Sequence, residues 1–212
     1  QFDDVVWLDS NDYKDQYSNY DAVLAVDAFT SLQTDCIGAF ERLKEYQKTT
    51  KDWIFGYLTY DLKNSTEDLK SKNFDGLGFP DLYFFQPKKL ILIKGDVAEF
   101  QYLNMVDDEI ESDLLAIEQS GNLSIQESKH PIKIKLRIHK DEYFEKVNRM
   151  LAHIHRGDIY EANFCQEFYA ENSVINPLEV YNKLNQISKP PFATFFKSFD
   201  KYLLSASPER YI

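Results

Sequence analysis

The side chains best equipped for chemistry in this 212-residue chain are few and scattered, and their spacing decides how each is read. Cys36 and Cys165 lie far apart and form no Cys-x-x-Cys pair, which points to reduced thiols and a cytoplasmic setting. His153 and His155 are two positions apart, so on a helix they face different ways and make no metal pair. Ser10 and Asp12 belong to Asp9-Ser10-Asn11-Asp12, where turn chemistry is the ordinary role of such residues. Asn163 and Gln166 are amides in an aromatic run and need partners if buried. Glu209 ends the run Ser207-Pro208-Glu209, and by spacing alone it is an exposed acid after a turn. The chain has no phosphate loop, zinc cluster or nucleophile elbow. Spacing alone therefore stops at a soluble mixed helix-and-strand protein.

The elements that must position these residues follow from periodicity. Val5 to Leu8 is a short apolar run, and Ala22 to Val26 reads as a buried strand. Thr34 or Asp35 is expected to cap a helix to about Lys48, with Ile37, Phe40 and Leu43 as its inner stripe. Trp53 to Tyr60 is strand-like, and Gly56 inside it signals close approach by another backbone. Lys63 to Lys72 reads as a surface connection. Leu82–Phe85 and Leu90–Ile93 read as two strands parted by Gln86-Pro87, and Lys94-Gly95-Asp96 turns into a return strand from Val97 to Leu103. Val106, Ile110, Leu114 and Ile117 mark a short helix, and 120–131 is the candidate linker.

Ile132, Ile134, Leu136 and Ile138 alternate with Lys133, Lys135 and Arg137, the pattern of a half-buried strand with a basic outer face. Asp141 is expected to cap a helix whose inner face is Phe144, Val147, Leu151 and Ile154, and Gly157 to stop it. Ile159 to Tyr169 reads as a strand covered on both sides. Asn176-Pro177-Leu178-Glu179 starts a helix with Leu178, Tyr181, Leu184 and Ile187 inward, and Pro190-Pro191 stops it. Phe192–Phe196 and Tyr202–Ser205 make an aromatic hairpin.

Composition narrows the partners. The net charge of −11 and the lack of a basic stripe argue against nucleic acid. No apolar run reaches the length of a membrane span, and the acidic start is unlike a signal peptide. A hydrophobic content of 43% is enough for a core.

Function enters through resemblance. Residues 157–168, beginning Gly157-Asp158-Ile159-Tyr160-Glu161-Ala162-Asn163, resemble a characteristic run of the chorismate-utilising enzymes. Ser188 to Phe192 and Ser205 to Tyr211 are similar to two later runs of that family, and Phe55 to Leu62 to one in its N-terminal domain. Leu8-Asp9-Ser10 with Tyr17-Ser18-Asn19-Tyr20-Asp21 resembles its first strand and turn. The matches fall in the family's order. Glu161, Phe164-Cys165 and Lys189-Pro190 depart from its usual residues, which blurs the choice among members. The Asn163 run resembles aminodeoxychorismate synthase component I more than anthranilate synthase component I.

The resemblance implies an α+β fold of antiparallel sheets packed face to face with peripheral helices. Residues 1–120 would be the N-terminal domain and 121–212 the first part of the chorismate-binding catalytic domain, the two interleaving. It implies amination of chorismate with ammonia from a glutamine amidotransferase, on the way to 4-aminobenzoate. Anthranilate formation is the close alternative, and a non-catalytic tryptophan-binding module the alternative of another class. Glu209 would be the general acid for the departing ring hydroxyl, its proton affinity raised by a wall of aromatics. The nucleophilic lysine and the carboxylates for Mg2+ would lie beyond Ile212, so this stretch alone is expected to hold no metal and to be inactive. It is also expected to dimerise or be marginally stable, its unpaired edges exposed. A tryptophan pocket would involve Leu8, Ser10, Tyr17, Pro191, Phe192 and Ala193, with Phe192 and Tyr17 as simple core residues the alternative.

Overall fold

The computed structural model describes residues 2–13, 19–120 and 131–210. Tyr17 and nearly all of the candidate linker at 120–131 lie outside the described residues. The chain forms two compact units, Gln1–Ile125 with Pro177–Ile212, and Gln126–Asn176. The last 36 residues thus belong spatially with the first unit, a partition different from the sequential division at residue 120. No helix among the described residues is long and apolar enough to cross a membrane.

The first unit is built on one antiparallel sheet. Its strands are β1 (Asp4–Asp9), β2 (Ala22–Thr34), β3 (Phe55–Leu58), β4 (Leu82–Lys94), β5 (Val97–Tyr102), β8 (Phe192–Ser198) and β9 (Lys201–Ser207). Their order is β3-β4-β2-β1-β8-β9, with β5 also paired to β4. Helices α1 (Ala39–Thr50), α2 (Ile110–Gln119) and α4 (Pro177–Ser188) accompany them. This is the expected α+β class with antiparallel pairing.

The core gathers Val6, Ala25, Phe55, Tyr83, Phe85, Leu90, Leu92 and Phe196. A second cluster of Ala39, Leu62 and Leu82 lies with Leu43 of α1 and Phe84. Strand alternation explains the division: Tyr83 and Phe85 point to one face, Leu82 and Phe84 to the other.

Where two strands were expected at 82–85 and 90–93, one continuous strand runs through Gln86-Pro87. Pro87 pairs with Ala28 beside a bulge in β2 between Ala28 and Thr30. A bulge is where a ladder tolerates a residue with no N–H. The Tyr46 hydroxyl of α1 accepts the Gln86 N–H at 3.0 Å and donates to the Thr30 carbonyl at 2.9 Å, satisfying the irregular stretch. Core-facing parity then switches from Tyr83 and Phe85 to Leu90 and Leu92.

The helix expected from Thr34 or Asp35 begins only at Ala39, after Gly38 in the left-handed region. Thr34 ends β2 instead, its hydroxyl accepting from Arg42, and the Asp35 carboxylate accepts the Ile37 N–H. Ile37 and Phe40 are exposed rather than inward. In α2, Leu114 and Ile117 are likewise exposed, and only Val106 of that stripe is buried. In α4, Tyr181 is buried but Leu178 and Ile187 are exposed.

Two buried polar groups tie elements together. Asp4 accepts from the Tyr83 hydroxyl at 2.6 Å and the Ser198 hydroxyl at 2.9 Å. Lys89, buried on β4, reaches Glu109 at 2.6 Å and Asp113 at 2.5 Å, which binds α2 to the sheet. Burial works against the Lys89 ammonium, but Asp113 and then Glu109 outweigh it and raise its proton affinity.

Lys89 and the buried and half-buried tyrosines make the fold sensitive to alkali. Burial, the larger cause, and nearby Asp81 push Tyr57 up to about 12. Burial and nearby Asp9 do the same for Tyr181, and Tyr83 and Tyr102 are also raised by burial, then by Asp4 and Asp113 respectively. The unfolded chain releases tyrosine protons near pH 10 while the folded one keeps them. The stabilisation is therefore whole below pH 10 and is lost as pH rises through the folded values. For the buried Tyr83 and Tyr181 the expected loss is about 1 kcal/mol each at pH 11. Urea denaturation at pH 9 and pH 11 measures it; a Tyr181→Phe chain should show a shallower fall, and an equal stability at both pH values contradicts the account.

The second unit contains α3 (Lys140–Arg156) and a two-residue ribbon, β6 (Lys135–Leu136) with β7 (Phe168–Tyr169). The strands expected at 132–138 and 159–169 shrink to this ribbon. A strand exists only where its N–H and C=O groups meet a neighbour, and among the described residues 159–167 lies in no strand. The expected burial is reversed as well, since Ile132, Ile134, Leu136, Ile159 and Phe168 are exposed. Charge stitches this unit instead: Arg137 makes a two-pronged contact with Glu167 at 2.8 Å and lies 3.9 Å from the Tyr169 ring centroid.

Helix α3 starts after His139 rather than at Asp141, which sits in its first turn, and none of its residues is buried. Its end is as expected. Gly157, at φ 84°, donates to the Ile154 carbonyl at 3.0 Å, and Asp158 donates to the His153 carbonyl at 3.0 Å. His153 meets Asp158 rather than His155. Gln166 finds its partner in the Ile138 carbonyl at 2.9 Å.

Candidate functional site

The strongest site in the first unit lies where three strands end together. The register places Asp9, the last residue of β1, opposite Ala22 at the start of β2 and Ala193 near the start of β8. Two alanines at this level leave room that larger side chains would fill. The result is a cavity of about 320 Å³ lined by residues that include Leu8, Ser10, Pro191, Phe192 and Ala193. Five of the six sequence-predicted pocket residues thus converge on one cavity, and the sixth, Tyr17, lies outside the described residues.

Aromatic rings wall one side. Trp53 and Tyr20 line the cavity and meet edge to face at 6.4 Å between centroids. Trp53 also stacks on Phe55 of the core at 6.1 Å, which anchors it to β3. Asp52 holds the approach: its carboxylate accepts the Trp53 N–H at 2.8 Å and the Gln86 side-chain amide at 2.9 Å. Phe192 supplies a further apolar face.

Polar groups converge from the rim. The Ser10 N–H donates to the Asp21 carbonyl at 2.9 Å, and the Ser10 carbonyl accepts from Tyr13 at 3.0 Å. Its hydroxyl, with the residue 9% exposed, has no hydrogen-bond partner among the described residues. A buried hydroxyl left without a partner costs free energy that a hydrogen-bond partner would recover. Asp21 accepts the Gly95 N–H at 2.6 Å and Asp9 the Asn11 N–H at 2.8 Å, so both carboxylates are oriented by backbone. Arg210 also lines the cavity. Aromatic walls, a hydroxyl without a partner among the described residues, carboxylates and an arginine at the rim suit a small aromatic zwitterion.

Trp53, Asp21 and Arg210 were not among the predicted pocket residues. Asp21 and Arg210 stood in runs that carried the family resemblance, which was the available signal. Trp53 gave none, since only the curl of the sheet brings it to β1.

Glu209 stands two residues after β9 and is exposed, where burial beside aromatics was expected. Its backbone is fixed by Ser207, whose hydroxyl donates to the Glu209 carbonyl at 2.8 Å. Among the described residues, no three His, Cys, Asp or Glu side chains are grouped to hold a metal ion.

The chain matches the chorismate binding enzyme family over residues 3–212 and belongs to that family. Its fold resembles anthranilate synthase component I from Streptococcus pneumoniae, with a TM-score of 0.69 at 16% identity, covering 93% of this chain and 52% of that one. An anthranilate synthase component I-like protein of Synechocystis is 28% identical over 162 residues, 76% of this chain and 33% of the relative. Anthranilate synthase component 1 of Buchnera aphidicola is 27% identical over 179 residues, 79% of this chain and 34% of the relative. Aminodeoxychorismate synthase component 1 of Salmonella typhimurium is 37% identical over 71 residues, 34% of this chain and 15% of the relative. The chain spans about a third of the length of the first two curated relatives.

Proposed function

We propose that this chain is part of an aminodeoxychorismate synthase component I, a cytoplasmic enzyme that aminates chorismate with ammonia from a glutamine amidotransferase partner and needs Mg2+ held by residues outside this stretch. In this reading Glu209 is the general acid, and the cavity at the end of β1 is a tryptophan pocket. The observation that carries the pocket is the convergence of Leu8, Ser10, Pro191, Phe192 and Ala193 on one cavity that also holds the buried Ser10 hydroxyl, which has no partner among the described residues. The indole would lie among Trp53, Tyr20 and Phe192. The ammonium would face Asp21 or Asp9, and the carboxylate Arg210 and the Ser10 hydroxyl.

Anthranilate synthesis is the second reading, favoured by the longer alignments to proteins of that name. The higher identity over a shorter stretch supports the first. Product analysis of the full-length enzyme with chorismate, ammonium and magnesium separates them, since one gives aminodeoxychorismate and the other anthranilate. The 212-residue chain alone is expected to consume no chorismate in the same assay.

The pocket is tested by calorimetric titration of the 212-residue chain with L-tryptophan, expected to show saturable one-to-one binding. Ser10→Ala discriminates a ligand group from a structural one. Removing a hydroxyl with no partner should leave stability unchanged or raise it by up to about 1 kcal/mol, yet weaken tryptophan about tenfold. A destabilised variant with unchanged binding would assign Ser10 to the turn alone.

A further inference from the structure

Resting on the reading of the cavity as an amino-acid pocket, we propose that Asn11 is the positioning residue that sets the cavity's width, by clasping its two walls together. One wall is the end of β1 and the turn after it. The other is the approach to β8 through Pro190 and Pro191. The β1–β8 ladder stops at the pair Asp9 and Ala193, so backbone pairing does not tie the walls beyond that level. The Asn11 side chain takes over there. Its Nδ2 donates to the Pro190 carbonyl at 2.7 Å and to Asn185 Oδ1 at 2.8 Å.

Both acceptors are held in place. Asn185 belongs to the last turns of α4, and its carbonyl accepts the Lys189 N–H at 2.8 Å. Pro190 is buried. On the other side, the Asn11 backbone sits at φ 50°, a left-handed conformation that asparagine tolerates better than most residues. The Asp9 carboxylate fixes that conformation by accepting the Asn11 N–H. The clasp needs two N–H donors on one short side chain. Aspartate has the shape without the donors, and glutamine has the donors one carbon too far out.

Walls held before a ligand arrives lose less freedom when it binds. The test therefore reads binding and local opening together, on the 212-residue chain with L-tryptophan as the probe. Asn11→Gly keeps the left-handed backbone and removes the amide; binding should weaken about tenfold. Asn11→Asp sets a carboxylate against two acceptor oxygens and should weaken it at least as much. Asn185→Asp still accepts the Asn11 N–H and should bind within about twofold of the unaltered chain, an asymmetry that a general packing role would not produce.

Amide hydrogen exchange at Ser10 and Lys189 should speed up at least about tenfold in both Asn11 variants, while β4 and β5 stay protected. Unaltered binding and exchange in the Asn11 variants overturn the proposal, as does equal weakening by Asn185→Asp. If the unaltered chain binds no tryptophan, the amino-acid reading of the cavity fails. The exchange rates of the Asn11 variants then decide the clasp by themselves, upheld if they rise and overturned if they do not.

Discussion

Gly56→Ala is expected to cost about 4 kcal/mol or more, among the largest losses a single methyl can cause. Gly56 pairs with Phe84 across β3 and β4. A Cβ built there would stand 1.9 Å from the Tyr83 carbonyl oxygen and 2.7 Å from the Phe84 Cα. Both are backbone of the central strand and cannot swing aside as a side-chain tip would. The strand must move, and Phe55, which packs against Phe85 in the core and stacks with Trp53, moves with it. Loss of stability should therefore come with an altered Trp53 environment. Urea denaturation followed by tryptophan fluorescence measures both. Gly95→Ala is the control, because Gly95 has φ 55° but open space around its missing Cβ. Strain alone should cost it about 1–2 kcal/mol. If the two variants are equally stable, the backbone contact is not what the glycine serves.

Gly56 also illustrates what a local pattern conveys. A glycine inside an aromatic strand reports a backbone neighbour without naming it. The hairpin at Gly95-Asp96, the stop at Gly157 and the start of α4 at Pro177 were legible for the same reason, since each rule concerns residues within one turn of chain. Strand β2 was legible only to Val26, because Asp27, Thr30, Ser31 and Gln33 offer no apolar alternation. They stay in the sheet through pairing with β4 and a bulge. Pro87 broke the reading of β4, since nothing local says that its missing N–H falls opposite that bulge. The segments 132–138 and 159–169 failed in the opposite sense. Their residues favour strands, but pairing is a tertiary event, and only Lys135–Leu136 and Phe168–Tyr169 find each other.

The site divides in the same way. Leu8, Ser10, Pro191, Phe192 and Ala193 could be named because runs of consecutive residues carry the family resemblance. Their convergence depends on β8 pairing with β1 across most of the chain length. Trp53 and the Asn11 clasp depend on contacts between distant segments that no run of neighbours encodes.

In the full-length enzyme, Glu209→Gln is expected to lower kcat by about 10²- to 10⁴-fold, the range for losing a positioned proton donor. The leaving group proposed for chorismate is a ring hydroxyl, and a hydroxyl departs poorly without a proton. Glutamine keeps the size and a hydrogen-bonding head but has no acidic proton to give. Glu209 is exposed in this chain, and a general acid works best when a closed site excludes water around it. The assignment therefore requires further protein to cover the Ser207-Pro208-Glu209 turn in the active enzyme. Two readings of the same variant make this decisive. Turnover should fall while tryptophan binding at the cavity holds, since the Glu209 carboxylate does not line that pocket. The rate at saturating chorismate should also fall more than the affinity for it, because the proton is needed in the transition state rather than in the ground state. A Glu209→Gln enzyme with full kcat would return Glu209 to the plainer role of an acid after a turn, and leave the departing hydroxyl to be protonated by another group.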